Sequence, residues 1–352
     1  MMSLVDLGME HENPASLCED VQQIARVTAV DRDRCIVNDG ETEYSAVLLG
    51  KFLHDMQSPE DYPCVGDWVC IEHHNADDFT TIHGVLPRKS LLRRKVAGRD
   101  MESQLIAANI DKAFIVQSCH FDFNIRRLER YLVMVNEAQI EPVILLTKTD
   151  LVSELDVELL IAEIRGAGIN SEVVTLSNVT GGGITQVREL MEPRKTYCLL
   201  GSSGVGKTTL INQLQDNDDM ETQTVSGTGE GRHTTTRRQL IMLSHGAMLI
   251  DMPGMRELGM VGASDGIEDS FSDVVALIGN CRFADCSHNN EPGCAILKAI
   301  ADGELSEGHF QSYLKLNKES AFFEMSHLEK RKKDKAFGKH IKTVMKGKKK
   351  KQ

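Results

Sequence analysis

The chain has 352 residues, 41% of them hydrophobic, enough for two or three domains and at least one sizeable core. No apolar run approaches the length of a membrane span, and the opening "MMSLVDLGMEHENPAS" lacks the basic-then-apolar order of a secretory leader, so we expect a cytoplasmic protein without membrane contact. The net charge of −12 hides an asymmetry: residues 329–352 hold twelve Lys or Arg against two acids, a balance of +10, which leaves −22 on the rest.

In chain order, residues 1–17 read as a disordered N-terminal segment. Residues 18–98 carry five short strand-like runs, "QIARVTAV", "RCIVND", "EYSAVLLG", "GDWVCIE" and "TTIHGVLP", separated by Asp-Gly and other turn residues. Five short strands predict a small barrel, OB-like (oligonucleotide-binding) as the leading form and SH3-like as the alternative that composition does not separate. Arg88, Lys89, Arg93, Arg94 and Lys95 follow the last strand and give the barrel a basic edge.

The texture changes within residues 99–263. Apolar runs "DKAFIVQS", "PVILLTK", "EVVTLS", "TYCLLGSS", "RRQLIML" and "AMLIDMPG" alternate with "NIRRLERYLVMVNEA" and "ELDVELLIAEIRGAG", whose apolar positions recur at helical spacing. Such alternation predicts an α/β domain with a mostly parallel sheet covered on both faces. Residues 264–328 form a polar, cysteine-bearing segment and a helical region, and 329–352 are the basic tail. The tail reads as an arm for a polyanion, or more plainly as a solvated extension.

The stretch "GSSGVGKTT" fits G-x-x-x-x-G-K-[ST] without a gap through Gly201, Ser202, Ser203, Gly204, Val205, Gly206, Lys207 and Thr208, with Thr209 following. Glycines let successive backbone N–H groups turn around phosphate oxygens, a helix N-terminus adds positive potential, Lys207 reaches the β and γ phosphates, and Thr208 ligates Mg²⁺. A strand-like "KTYCLL" before it and an amphipathic "KTTLINQL" after it supply the required context. Downstream, "GTGEGRHTTTRR" is a polar, Gly-rich segment suited to a switch, in which Thr234, Thr235 or Thr236 offers a hydroxyl to Mg²⁺. "AMLIDMPG" then places Asp251 at a strand end and Gly254 three residues on, the D-x-x-G that meets Mg²⁺ and the γ-phosphate.

The base-reading candidate lies upstream instead of downstream. In "TKTD", Asp150 accepts from the guanine ring N–H and exocyclic amine, Lys148 packs over the base, and Thr149 lies between them. Thr147 stands where such loops carry Asn, which puts the tie to the phosphate loop in question. "LSN" at 176–178, with Ser177 at its centre, can present a backbone N–H to the guanine carbonyl. All these loops leave carboxyl ends of strands, so cutting the chain elsewhere and joining the old termini leaves the rim intact. The reversed order is a circular permutation.

Nine cysteines do not form a disulfide framework. Six, Cys18, Cys35, Cys64, Cys70, Cys119 and Cys198, are scattered through mostly apolar stretches and are expected to be free. Cys281, Cys286, His288 and Cys294 have C-x4-C-x-H-x5-C spacing, a closed Cys3His set for one structural Zn²⁺.

A barrel, a permuted motif order and this knuckle in series resemble the RsgA (YjeQ) family of circularly permuted GTPases, over about Gln22 to Phe323. "GRHTTT", "DMPG" and the Cys-Cys-His-Cys spacing carry the resemblance. It implies a barrel that contacts ribosomal RNA, GTP hydrolysis to GDP stimulated by the small ribosomal subunit, and a late maturation or checkpoint role for a monomeric protein. Met255 occupies the position after D-x-x-G where Ras-like enzymes use Gln to orient water. His233, which the resemblance also points to, is the catalytic candidate beside Lys207. The lysine tail leaves room for a specialised paralogue on another structured RNA. An RNA-binding module with weak GTPase activity, and a P-loop ATPase or kinase, are the other function classes.

Overall fold

The computed structural model describes residues 3–11, 17–18, 23–31, 34–74, 79–95, 103–215, 238–252 and 263–324. His233, Thr234, Thr235, Thr236, Gly254, Met255 and the basic tail lie outside them. No described helix is long and apolar enough to cross a membrane.

The N-terminal strands β1 (Gln23–Val30), β2 (Cys35–Asn38), β3 (Glu43–Leu48), β4 (Trp68–His74) and β5 (Phe79–Val85) follow the five alternating runs, with a short helix α1 (Gly50–Asp55) between β3 and β4. β1 pairs antiparallel with β2 and β4, while β3 runs parallel to β5. The ring therefore closes in the order β1-β2-β3-β5-β4-β1. This is the OB-like order, and it removes the SH3-like alternative. Ala25, Val27, Val37, Ala46, Val69, Ile71 and Ile82 point inward at period two and fill the barrel.

Two expectations for this region fail. Residues 3–11, placed in a disordered segment, form turns that bury Leu7 and Met9 against Ile24 and Trp68. Cys18 and Cys70, expected to be free, are joined in a disulfide with a Cα–Cα distance of 5.8 Å. They are 52 residues apart, so only the barrel's closure brings them together.

A hairpin of β6 (Leu91–Lys95) and β7 (Ser103–Ala108) bridges barrel and α/β domain across the expected boundary at 98. It changes the reading of the basic edge. Arg88 forks onto buried Asp67 at 2.7 and 2.8 Å, Arg93 pairs with Glu60 at 2.6 Å, and Lys89 pairs with Asp111 at 2.8 Å. Arg94 is hydrogen-bonded to Gln104. Arg88, Lys89 and Arg93 thus meet carboxylates, whereas Arg94 meets a neutral amide.

The α/β domain contains β8 (Lys112–Ser118), α2 (Ile125–Glu137), β9 (Glu141–Thr147), α3 (Glu154–Gly166), β10 (Glu172–Thr175), α4 (Ile184–Glu189), β11 (Thr196–Leu200), α5 (Lys207–Gln215), β12 (Gln239–Met242) and β13 (Met248–Asp251). Its strands run in the order β10-β9-β8-β11-β13-β12, all parallel except β12. Alternation along the strands separates two cores. Ile115, Ile144, Leu146 and Leu200 meet α2 and α3, whereas Phe114, Val143, Leu145 and Leu199 meet α4 and α5. Both faces are covered, as a parallel sheet requires.

Arg26 of β1 sits at the joint between barrel and sheet, fully buried, its guanidinium 5.3 Å above the Trp68 ring. It donates to Gly66 O, Leu7 O, Asn109 O and, at 2.8 Å, to Thr196 Oγ1 at the start of β11. Burial lowers its pKa to about 10, against the pull of Asp111 and Asp67. It stays charged at neutral pH because backbone carbonyls replace its water.

Of the C-terminal helices α6 (Ser264–Ser270), α7 (Ser272–Ile278), α8 (Ala295–Ala301) and α9 (Glu307–Glu324), α6 and α9 dock on α2, while α7 packs on α6 and α8 on α7. A Cβ at Gly266 would lie 2.3 Å from Val133 O, so only glycine allows this approach of α6 to α2. Arg130 of α2 holds Glu319 through two bonds of 2.7 and 2.8 Å.

Candidate nucleotide site and metal centre

The loop from Gly201 to Gly206 connects β11 to α5 with positive φ at Gly201 (154°), Gly204 (81°) and Gly206 (99°). A side chain at Gly201 would strike Val116 O at 2.4 Å, and one at Gly206 would strike the Asn178 side chain at 2.7 Å. The glycines thus serve the tight turn and the contact with neighbouring loops. They also bring backbone N–H groups to the N-terminus of α5, which is an anion cradle.

Lys207 folds back over this cradle, donating to Gly201 O at 2.7 Å and Ser202 O at 2.6 Å. Burial lowers its pKa to about 8, opposed by Asp251 and Asp122. Thr208 and Thr209 follow in the first turn of α5, and Asp251 ends β13, the strand beside β11. A hydroxyl, a carboxylate and a lysine at neighbouring strand ends suit an Mg²⁺–nucleotide pair.

The upstream loop is cross-braced to the cradle. Thr147 is buried, and its hydroxyl lies 2.6 Å from Val205 O and 3.2 Å from Gln117 O. The tie that the missing Asn put in question is made by threonine. Lys148 takes a left-handed conformation (φ 61°) that turns the chain into the Thr149–Leu151 helical turn. Asp150 stands exposed at the rim and accepts a short hydrogen bond from the buried Ser177 hydroxyl. Ser177 in turn accepts from Val179 N and Thr180 N at 3.2 and 3.1 Å. Asn178 closes the ring by donating to Gly206 O at 3.0 Å. The loops after β9, β10 and β11, distant in sequence, therefore form one hydrogen-bonded rim.

One residue of the rim escaped sequence reasoning. Asp122, in the loop after β8, accepts from the Ser202 hydroxyl and from Arg127 Nη2 at 2.8 Å. The available signal was positional: this loop leaves the carboxyl end of the strand next to β11.

Beginning thirty residues beyond β13, Cys281, Cys286, His288 and Cys294 bring one ligand atom each to within 4.8 Å of one another. His288 Nδ1 lies 3.5 Å from the sulfurs of Cys281 and Cys294. Zn–S of about 2.3 Å and Zn–N of about 2.0–2.1 Å at tetrahedral angles give an S···N edge of roughly 3.5 Å. The donor set fits one Zn²⁺. His288 (φ 59°) and Gly293 (φ 80°) turn the knuckle in left-handed conformations. Backbone N–H groups of Ala295 and Leu297 point at the Cys281 and Cys294 sulfurs, favouring thiolates at the start of α8.

Comparison with known proteins agrees with this geometry. A sequence profile of the RsgA GTPase family matches residues 85–261. The small ribosomal subunit biogenesis GTPase RsgA 2 of Lactiplantibacillus plantarum is 38% identical over 323 residues, covering 91% of this chain and 90% of that protein. The RsgA 1 of Oceanobacillus iheyensis is 40% identical, covering 86% and 87%. Among solved structures, YjeQ from Thermotoga maritima superposes with a TM-score of 0.64 at 25% identity, covering 85% of this chain and 98% of that one. YloQ, described as a circularly permuted GTPase, reaches 0.58 at 24% identity over 87% and 97%, a likeness of fold.

Proposed function

Because this chain belongs to the RsgA GTPase family, we propose that it binds the small ribosomal subunit through its RNA and hydrolyses GTP to GDP and phosphate there during late subunit maturation, as a checkpoint or release switch. The observation that carries this reading is the cross-braced rim, which joins an Asp150–Ser177 base edge to a glycine-turned phosphate cradle through Thr147 and Asn178. We place the protein in the cytoplasm as a monomer.

Gly201 to Gly206 present N–H groups to the phosphates, and Lys207 leaves the carbonyls of Gly201 and Ser202 for phosphate oxygens. Thr208, Asp251 and one of Thr234, Thr235 and Thr236 are the residues to hold Mg²⁺, which when bound offsets charge between the β and γ phosphates. Asp150 reads guanine because adenine lacks its two donors. Met255 cannot position water, so His233 does so on the subunit, and turnover by the free protein is slow. Cys281, Cys286, His288 and Cys294 hold a structural Zn²⁺ with no open coordination position.

Turnover of GTP and ATP, measured with and without purified small subunits, tests the function. We expect slow GTP hydrolysis that rises on subunits, with ATP flat throughout. His233→Ala keeps GTP affinity and loses roughly a hundredfold of the stimulated rate. Equal use of ATP, or GTP turnover indifferent to subunits, contradicts the proposal.

A further inference from the structure

We propose that Asp122 is a positioning residue for the phosphate loop, holding its second residue in place through the Ser202 hydroxyl. The inference rests on the reading of residues 201–208 as a phosphate cradle.

The geometry around Asp122 is built, not incidental. Gln117, 1% exposed at the end of β8, binds Asn124 twice: its Oε1 accepts from Asn124 N at 2.8 Å and its Nε2 donates to Asn124 O at 3.2 Å. These bonds close the base of the 118–124 loop. Inside it, the Ser118 hydroxyl donates to His120 O at 2.9 Å and accepts from His120 N at 3.1 Å. Phe121 is forced to φ 64° although its ring is 95% exposed. A bulky residue in the left-handed region costs on the order of 1 kcal/mol or more and persists only where its surroundings impose it. No burial of Phe121 offsets that cost. The next residue is the one that reaches the cradle.

Asp122 Oδ2 accepts from both Ser202 Oγ and, at 2.8 Å, Arg127 Nη2. Arg127 lies in the first turn of α2, whose N-cap is Asn124, and also donates to Asp122 O. The carboxylate is thus held at both its side chain and its backbone. Ser202 O is one of the two carbonyls on which Lys207 rests, so the bond to Asp122 fixes the peptide that positions the lysine. A carboxylate near phosphate is unfavourable unless neutralised, and Arg127 neutralises it. The expected consequence is a cradle whose opening is set before nucleotide arrives.

The test measures affinity for GDP and a non-hydrolysable GTP analogue in the wild-type chain, Asp122→Ala, Asp122→Asn, Ser202→Ala and Asp122→Ala/Ser202→Ala, with thermal unfolding alongside. Each single alanine variant is expected to lose about tenfold in affinity, the size of one hydrogen bond to a charged group. The double variant loses no more than either single one, Asp122→Asn recovers part of the loss because it keeps an acceptor, and unfolding midpoints stay together. Wild-type affinity in Asp122→Ala, or losses that add in the double variant, overturns the proposal. A wild-type chain that binds neither nucleotide removes the cradle itself, and Asp122's role falls with it.

Discussion

The nucleotide rim and the cysteine knuckle are both built from loops, but they are held by opposite means. The rim's loops leave adjacent strand ends of a buried parallel sheet and brace one another through Thr147, Ser177 and Asn178 before any ligand arrives. The knuckle spans residues 279–294 between α7 and α8 without a regular element. A scaffold can preorganise one site, whereas we expect the other to need an ion to close it.

Removing the metal should therefore give the largest effect. We expect one Zn²⁺ per chain by elemental analysis. Cys286→Ser, or strong chelation, should release it and collapse protection of 279–301 in amide exchange. Metal-linked folding in small zinc sites amounts to on the order of 10 kcal/mol, although the core around Phe271, Ile296 and Phe310 retains part of this domain. The rim sharpens the contrast: residues 147–150 and 176–206 should stay protected without nucleotide. A metal-free native protein, or an unprotected rim, breaks the comparison.

The next effect lies where the knuckle's domain meets the sheet. Buried His309 of α9 contacts Glu129 of α2 at 2.7 Å and Asp273 of α7 at 3.2 Å, and stacks on Phe271. Burial alone lowers its pKa, but hydrogen bonds to Asp273 and Glu129 outweigh it and raise the value to about 9. The folded pKa exceeds the unfolded value of about 6.5, so the stabilisation is complete below that pH and fades as pH rises toward 9. His309→Ala should cost about 3 kcal/mol by stranding Glu129, and His309→Gln should flatten stability between those pH values. A pH profile identical to wild type removes His309 as the staple.

What could be read from the sequence follows the same division. Short strand-like runs between turn residues located the strands of the barrel, and apolar runs alternating with helical stretches located those of the sheet, because burial shows locally in both. The phosphate loop and the Cys-Cys-His-Cys set were equally local, since their chemistry fixes the spacing. The misses are all contacts between distant segments. Nothing near Cys18 announces Cys70, and the pairing of Arg93 in "LLRRK" with Glu60 joins residues far apart in the chain. Asp122 and the His309–Glu129 pair depend on which helix packs where.

The smallest effect is expected at Thr147. Thr147→Val keeps the shape and removes the hydroxyl that ties the loop after β9 to Val205 O. Leaving that buried carbonyl unpaired should cost about 1 kcal/mol of stability, with a GTP affinity loss of about fivefold. Full affinity and stability in this variant would make the threonine incidental to the brace.

We propose that two stretches in reversed chain order, "TKTD" and "GSSGVGKTT", compose one guanine-nucleotide site. Parallel titrations of Asp150→Asn and the wild-type chain with GTP and XTP test it most directly, because the substitution changes the acceptor pattern at the base edge and leaves the cradle untouched. The wild type should bind GTP and exclude XTP, and Asp150→Asn should lose at least about tenfold in GTP affinity while gaining XTP. A variant that binds GTP as before and still excludes XTP would contradict it.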